Sequence, residues 1–148
     1  MTIQERVEEL LAQMTPAEKA GQVTQYFYFR LPEGAEPGLD FDPDEQPEMV
    51  ESKLQQGAAG SLLFVTDPRE INRLQRLAVE GSRFDLPLLF GFDVIHGLRT
   101  IFPVPIGMAA SWDPETIEAG QVVAAREARA VGIHWSFAPM VDVARDPR

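Results

Sequence analysis

The chain has 148 residues, of which 45% are hydrophobic and 24% charged, and its 23 acids outnumber 13 Lys and Arg for a net charge of -10. Such a composition suits an ordinary globular protein with a core of useful size, and it disfavours nucleic acid or an anionic membrane surface as a partner, since both need a basic footprint. With no cysteine in the sequence, disulfides and thiolate metal sites are excluded.

The chain opens on a helix. Ile3, Val7, Leu10, Leu11 and Met14 recur at helical spacing and form one apolar stripe. Met1 to Arg6 shows no apolar secretory region, and no apolar run reaches the roughly 20 residues of a membrane span. A cytoplasmic location is therefore expected, with a periplasmic or secreted one as the alternative if the native start differs. Thr15-Pro16-Ala17-Glu18 restarts a helix, with Thr15 as cap, Pro16 in the first turn and Glu18 closing a capping box. This second helix is expected to run to about Val23.

Residues 26–47 read as an acidic surface loop. They contain Pro32, Pro37, Pro43 and Pro47, and Glu33 to Glu51 carries eight acids (33, 36, 40, 42, 44, 45, 48 and 51) with no Lys or Arg. The acidity thus belongs to one excursion and not to a binding face. A short helix is expected from Glu48 to Gln56, ending at Gly57, and then a nearly all-apolar strand from Gly60 to Val65. Asp67-Pro68-Arg69-Glu70 opens a helix whose apolar face is Ile71, Leu74, Leu77 and Ala78. A second buried-type strand covers Leu86 to Asp93. Asp113-Pro114-Glu115 starts a long helix ending near Gly132, and Ile133 to Met140 is a third strand. The first two strands lack polar alternation, which suggests burial on both faces.

Strands alternating with helices imply an α/β fold with parallel pairing. Two architectures fit, an open doubly wound sheet or a (β/α)8 barrel. No glycine-rich phosphate loop follows any strand, which weakens nucleotide-binding versions of the open sheet. In either architecture ligands meet the carboxyl ends of the strands.

Three such ends carry candidates. Asp67 is explained as a helix cap. Asp93 ends an apolar strand with no helix directly behind it, so it is either an acceptor for sugar hydroxyls or a structural aspartate bonded to backbone or to an arginine. His96 is a ligand, a proton carrier or a packed histidine bonded to backbone. His134 and Trp135 are expected in the core, and Trp112 is expected to pack ahead of its helix. Arg99, Asp142, Arg145, Asp146 and Arg148 suggest an ion-pair cluster. Two isolated histidines do not make a metal site, and neither Ser111 nor Ser136 lies in a nucleophile elbow.

Gly91-Phe92-Asp93-Val94-Ile95-His96-Gly97-Leu98-Arg99-Thr100-Ile101-Phe102-Pro103 resembles the signature loop of glycoside hydrolase family 3, in its bacterial β-glucosidase form. Ala109 to Asp113, Ala125-Arg126-Glu127-Ala128 and Phe137 to Arg148 follow in the family's order, and Thr15 to Gln22 is similar to its opening helix. The resemblance implies that residues 1–148 are the N-terminal portion of a (β/α)8 TIM-like barrel, incomplete in this chain. It implies hydrolysis of terminal β-linked glucose or a similar sugar with retention, by two carboxylates roughly 5 Å apart, with no cofactor and no metal.

Asp93 matches the aspartate that holds sugar hydroxyls in the innermost subsite, with His96, Arg99, Asp142 and Arg148 as supporting residues. The nucleophile, the acid/base and further sugar-binding residues are expected after Arg148, which leaves no catalytic residue in this chain. A complete barrel takes about 250 residues. The isolated chain is accordingly expected to be unstable or oligomeric and to hydrolyse nothing. The rival readings are a small enzyme using Asp93 and Asp142 as its pair, a non-catalytic sugar-binding module, and a truncated fragment without function of its own.

Overall fold

The computed structural model describes residues 1–30, 45–141, 143 and 145. They form two compact units, Met1–Phe90 and Gly91–Arg148. A four-stranded sheet has the order β1-β2-β3-β4, with β1 (Gln25–Phe27), β2 (Ser61–Leu63), β3 (Leu89–Phe92) and β4 (Trp135–Ser136). The β1–β2 and β3–β4 pairs are parallel. Helices fall between the strands, as the α/β reading expects.

In the first unit the helix starts are written locally. Thr2 caps α1 (Ile3–Gln13) in a capping box with Glu5, and Thr15 caps α2 (Pro16–Gln22) in a second box with Glu18. Each box satisfies two backbone donors that the helix itself leaves unpaired. The apolar stripe of α1 does not reach the core: α1 contains no buried residue, and only Met14, just past its end, is buried.

The core of this unit lies where α3 (Glu45–Gln55) and α4 (Pro68–Gly81) cover the sheet. Tyr28, Val50, Leu54, Leu62, Leu74 and Phe90 are each exposed by 1% or less. Asp67 caps α4 by accepting from the Arg69 amide at 2.8 Å, as its place before Pro68 predicts. Helix α3 ends in a Schellman turn, with Ala58 N–H on the Lys53 carbonyl and Gly57 N–H on that of Leu54. That turn needs a left-handed residue, and Gly57 supplies it at φ 66°.

The structure corrects several expectations here. Of the proposed 26–47 loop, Tyr26 and Phe27 belong to β1 and Glu45 to Pro47 belong to α3; positions 31–44 lie outside the described residues. The predicted strands shorten to their centres, because only two to four residues of each have a paired neighbour. Burial on both faces holds for Ser61 and Leu62 of β2 and fails in β3 at Leu89. Tyr26, Leu62 and Phe90 pack into the core, whereas Phe27 and Leu89 are more than half exposed. Successive strand residues point to opposite faces, so in the first unit the face of Tyr26, Leu62 and Phe90 is covered by helices while the face of Phe27 and Leu89 is more open.

In the second unit, β4 pairs Trp135 with Gly91 and Ser136 with Phe92. Helix α5 (Pro105–Ala109) was not anticipated from the sequence; α6 (Pro114–Val131) was, with Asp113 as its cap and Gly132 (φ 99°) as its left-handed stop. A small core joins Val94, Ala124, Ala128 and Ile133, with Phe92, Leu98 and Val131 at its margin. Ala124 and Ala128 are one turn apart, so they present one face of α6 to it.

Candidate functional site

In the first unit the carboxyl end of β1 leads into a polar cluster. The Tyr28 side chain is buried, and its hydroxyl lies 2.8 Å from Glu51 Oε1 and 2.8 Å from Glu70 Oε1. Arg30 Nε and Arg73 Nη2 donate to the same oxygen at 3.0 and 2.9 Å. Arg73 Nη2 also reaches Glu51 at 2.6 Å and Glu70 at 2.7 Å. Burial pushes the Glu51 carboxyl up, but hydrogen bonds from Arg73, Arg30 and Tyr28 outweigh it and bring it down to about 2. Arg73 likewise holds Glu70 below the ordinary carboxylate range, against the opposing effect of burial. Two cations and two anions balance around one phenol, which makes this cluster a brace. Sequence reasoning missed it; the only local hint is the i,i+3 spacing of Glu70 and Arg73 on α4.

In the second unit Asp93 is exposed directly after β3, and the next helix begins only at Pro105. A helix-cap role is thereby removed. The chain then folds back on itself. His96 Nδ1 lies 3.0 Å from the Phe102 carbonyl, and the Phe102 amide donates to the His96 carbonyl at 2.8 Å. A carbonyl only accepts, so Nδ1 is the donor in this bond. His96 and Ile95 line an open cleft with Pro105 and Met140. Gly97 bridges Ile101 at φ 115°, where an added Cβ would fall 2.0 Å from the Thr100 carbonyl oxygen. Only glycine fits this crossing.

Glu127 of α6 meets this loop at Arg99 and Thr100. Its Oε2 accepts from the Arg99 and Thr100 amides at 2.8 Å each, and its Oε1 accepts from Thr100 Oγ1 at 2.6 Å. The Thr100 hydroxyl above all, then the Thr100 and Arg99 amides, hold this carboxyl below its usual range. Gln121, also on α6, donates to the Ile95 carbonyl at 3.3 Å.

The sequence candidates thus separate. Asp93 and His96 fall on one loop, and Arg99 falls on the same loop with its amide engaged by Glu127. Asp142, Asp146 and Arg148 lie outside the described residues. Three expectations are corrected. Trp112 is 92% exposed and Trp135 45% exposed, with Trp135 tilted against Phe137 at 4.9 Å, so neither packs as a core residue. His134 is exposed just ahead of β4. The two residues of β4 are both exposed, so this strand does not bury His134 and Trp135; Trp112 lies in the connection between α5 and α6. Among the described residues no group of three or more His, Cys, Asp or Glu side chains is placed to hold a metal, and no helix is long and apolar enough to cross a membrane.

An exposed acid and a half-buried histidine thus follow a parallel strand of an α/β protein. The glycosyl hydrolase family 3 N-terminal domain matches residues 2–148, and the chain belongs to that family. It is 34% identical over 142 residues to a periplasmic β-glucosidase of Salmonella typhimurium, covering 96% of this chain and 17% of that protein. It is 32% identical to a putative β-xylosidase of Formosa agariphila, covering all of this chain and 20% of that one.

Among solved structures it is similar to the β-glucosidase of Listeria innocua in complex with gluconolactone, at 34% identity and a TM-score of 0.78 over 99% of this chain and 20% of that one. A variant of that enzyme in complex with laminaribiose matches at 37% identity with a TM-score of 0.78, over 99% of this chain and 20% of that one. The chain therefore spans about one fifth of the length of these relatives, and its α/β arrangement is that of the corresponding part of their fold.

Proposed function

We propose that this chain forms part of a retaining β-glucosidase-type glycoside hydrolase, acting on terminal β-linked glucosyl or similar residues, and that Asp93 accepts hydrogen bonds from hydroxyls of the sugar at the reacting position. The observation that carries the reading is the placement of Asp93: a carboxylate exposed at the carboxyl end of β3, followed by a loop tied at base and tip. An ionised carboxylate accepts hydroxyl protons in short, charge-assisted bonds, the stronger class of hydrogen bond. His96, three residues further along the same loop and bonded to the Phe102 carbonyl, is the supporting residue on this reading. The relatives named as β-glucosidases and β-xylosidase support the substrate class, and the family chemistry needs a nucleophile and an acid/base roughly 5 Å apart. On this reading the chain contributes sugar binding, while the two reacting carboxylates come from the remainder of the longer relatives' length.

Calorimetric titration of glucose and gluconolactone into the wild-type chain and Asp93→Ala tests the binding half. Saturable binding lost in Asp93→Ala is expected, and equal binding by both proteins would refute the role given to Asp93. An aryl β-glucoside assay on the pure chain tests the other half: turnover by it would show that the reacting carboxylates lie within these residues.

A further inference from the structure

We infer that Glu127 is a positioning residue for the Asp93 subsite: its carboxylate fastens the tip of the Asp93–Phe102 loop to α6 and so fixes where Asp93 and His96 stand. The inference rests on the reading of Asp93 as a sugar-binding residue, but its structural part stands apart from that reading.

The loop begins at a fixed point and is held at two more. Val94, next to Asp93, is buried against Ala124 and Ala128, so the start of the loop is anchored to the same helix that carries Glu127. The paired His96–Phe102 hydrogen bonds close its base. The tip, Leu98 to Thr100, is turned so that two successive amides converge on one point, a concavity suited to an anion. Glu127 Oε2 occupies that point at 2.8 Å from both, while Oε1 takes the Thr100 hydroxyl at 2.6 Å.

The fit is specific to glutamate. Aspartate is one methylene shorter and cannot span the same gap without moving α6 or the loop. Glutamine keeps one acceptor oxygen but gives up the charge that makes such bonds strong. Gln121, about two turns ahead on α6, steadies the Ile95 carbonyl in the same sense. A sugar-binding constellation tolerates only about 0.5 Å of looseness, and three hydrogen bonds to one carboxylate are a means of staying within it. Glu127 itself contacts Arg99 and Thr100 and so acts through the loop.

The test uses Glu127→Gln and Glu127→Ala in the chain, with thermal unfolding confirming that each variant is folded. Amide exchange at Arg99 and Thr100 is expected to accelerate about tenfold or more in Glu127→Ala, in line with loss of a hydrogen bond to a charged group, and less in Glu127→Gln. The backbone resonances of Asp93 and His96 are expected to shift in the same order, and the dissociation constant for gluconolactone to rise about tenfold in Glu127→Ala with partial rescue in Glu127→Gln. Unchanged exchange at Arg99 and Thr100 would overturn the fastening. Faster exchange with unmoved Asp93 and His96 resonances would overturn the positioning role and leave a purely local contact. Wild-type chain that binds no sugar, with the resonances still shifting in the variants, would sustain the positioning of the loop and refute instead the sugar-binding reading of Asp93.

Discussion

The hydroxyl of Tyr28 stands 2.8 Å from Glu51 and 2.8 Å from Glu70, carboxylates that lie 23 and 42 residues away in the chain. A phenol has one proton to donate, so at any instant it serves one carboxylate while Arg30 and Arg73 donate to its oxygen. The shared oxygen ties the end of β1 to α3 and α4. Tyr28→Phe keeps the ring in the core and deletes only this junction. It is expected to cost about 1–2 kcal/mol, read as a lower midpoint in urea with unchanged slope. A midpoint equal to that of the wild type would show that the two arginines and two glutamates close the network without the phenol.

Glu51 makes the same brace sensitive to acid. Its carboxyl titrates at about 2 in the folded chain, against an ordinary value of 4.5. The unfolded chain therefore binds the proton first as pH falls, and folding stability declines. The contribution is complete above pH 4.5 and is lost as the pH drops through about 2; Glu70, also lowered, adds in the same direction. Thermal unfolding at pH 6 and pH 3 (values chosen on either side of the onset) is expected to show a smaller drop for Glu51→Gln than for the wild type. An equal drop would place the acid sensitivity elsewhere.

Gly60 precedes β2 where the chain passes the end of α2. A Cβ there would fall 2.1 Å from the Gln22 carbonyl oxygen, which is backbone and cannot rotate away. The Gly60 and Ser61 amides both donate to the Thr24 carbonyl, so the two segments cannot part without breaking those bonds. Gly60→Ala is expected to destabilise by about 3 kcal/mol through overpacking, measured by chemical denaturation. A cost under about 1 kcal/mol would mean that this crossing is looser than the structure has it.

Leu62 is the centre of β2 and has no exposed surface. Leu62→Ala is expected to cost about 2–5 kcal/mol, the range for deleting buried methylenes and leaving a partly relaxed cavity. Leu89, on the open face and 51% exposed, is the control. Leu89→Ala should cost well under half as much in the same denaturation experiment. Equal costs would show that the open face is covered in solution.

Most helix caps and stops, and the position of Asp93, were legible in the sequence because their causes are local. Thr15 with Glu18, Asp67 before Pro68, Asp113 before Pro114, and the stops at Gly57 and Gly132 each depend on residues within a turn or two. An apolar run that ends in an acid likewise reads as a strand with a carboxylate at its mouth. Strand β1 was not legible: Gln25, Tyr26 and Phe27 have no strand pattern of their own and become a strand by pairing with Ser61, Leu62 and Leu63. The exposure of Trp112, Trp135 and His134 was misread for a related reason, since burial depends on what the rest of the chain brings alongside.

The sequence by itself determined most of the helix caps and stops, the α/β alternation, the family and the acid at the end of β3. Tertiary structure alone decided that Tyr28 gathers Glu51, Glu70, Arg30 and Arg73, and that Glu127 takes hold of the loop behind Asp93. A cap or a turn is an interaction among neighbours and leaves its mark in a few adjacent letters. Contacts between residues tens of positions apart come into being only when the chain closes on itself, and no short stretch of sequence encodes that closure.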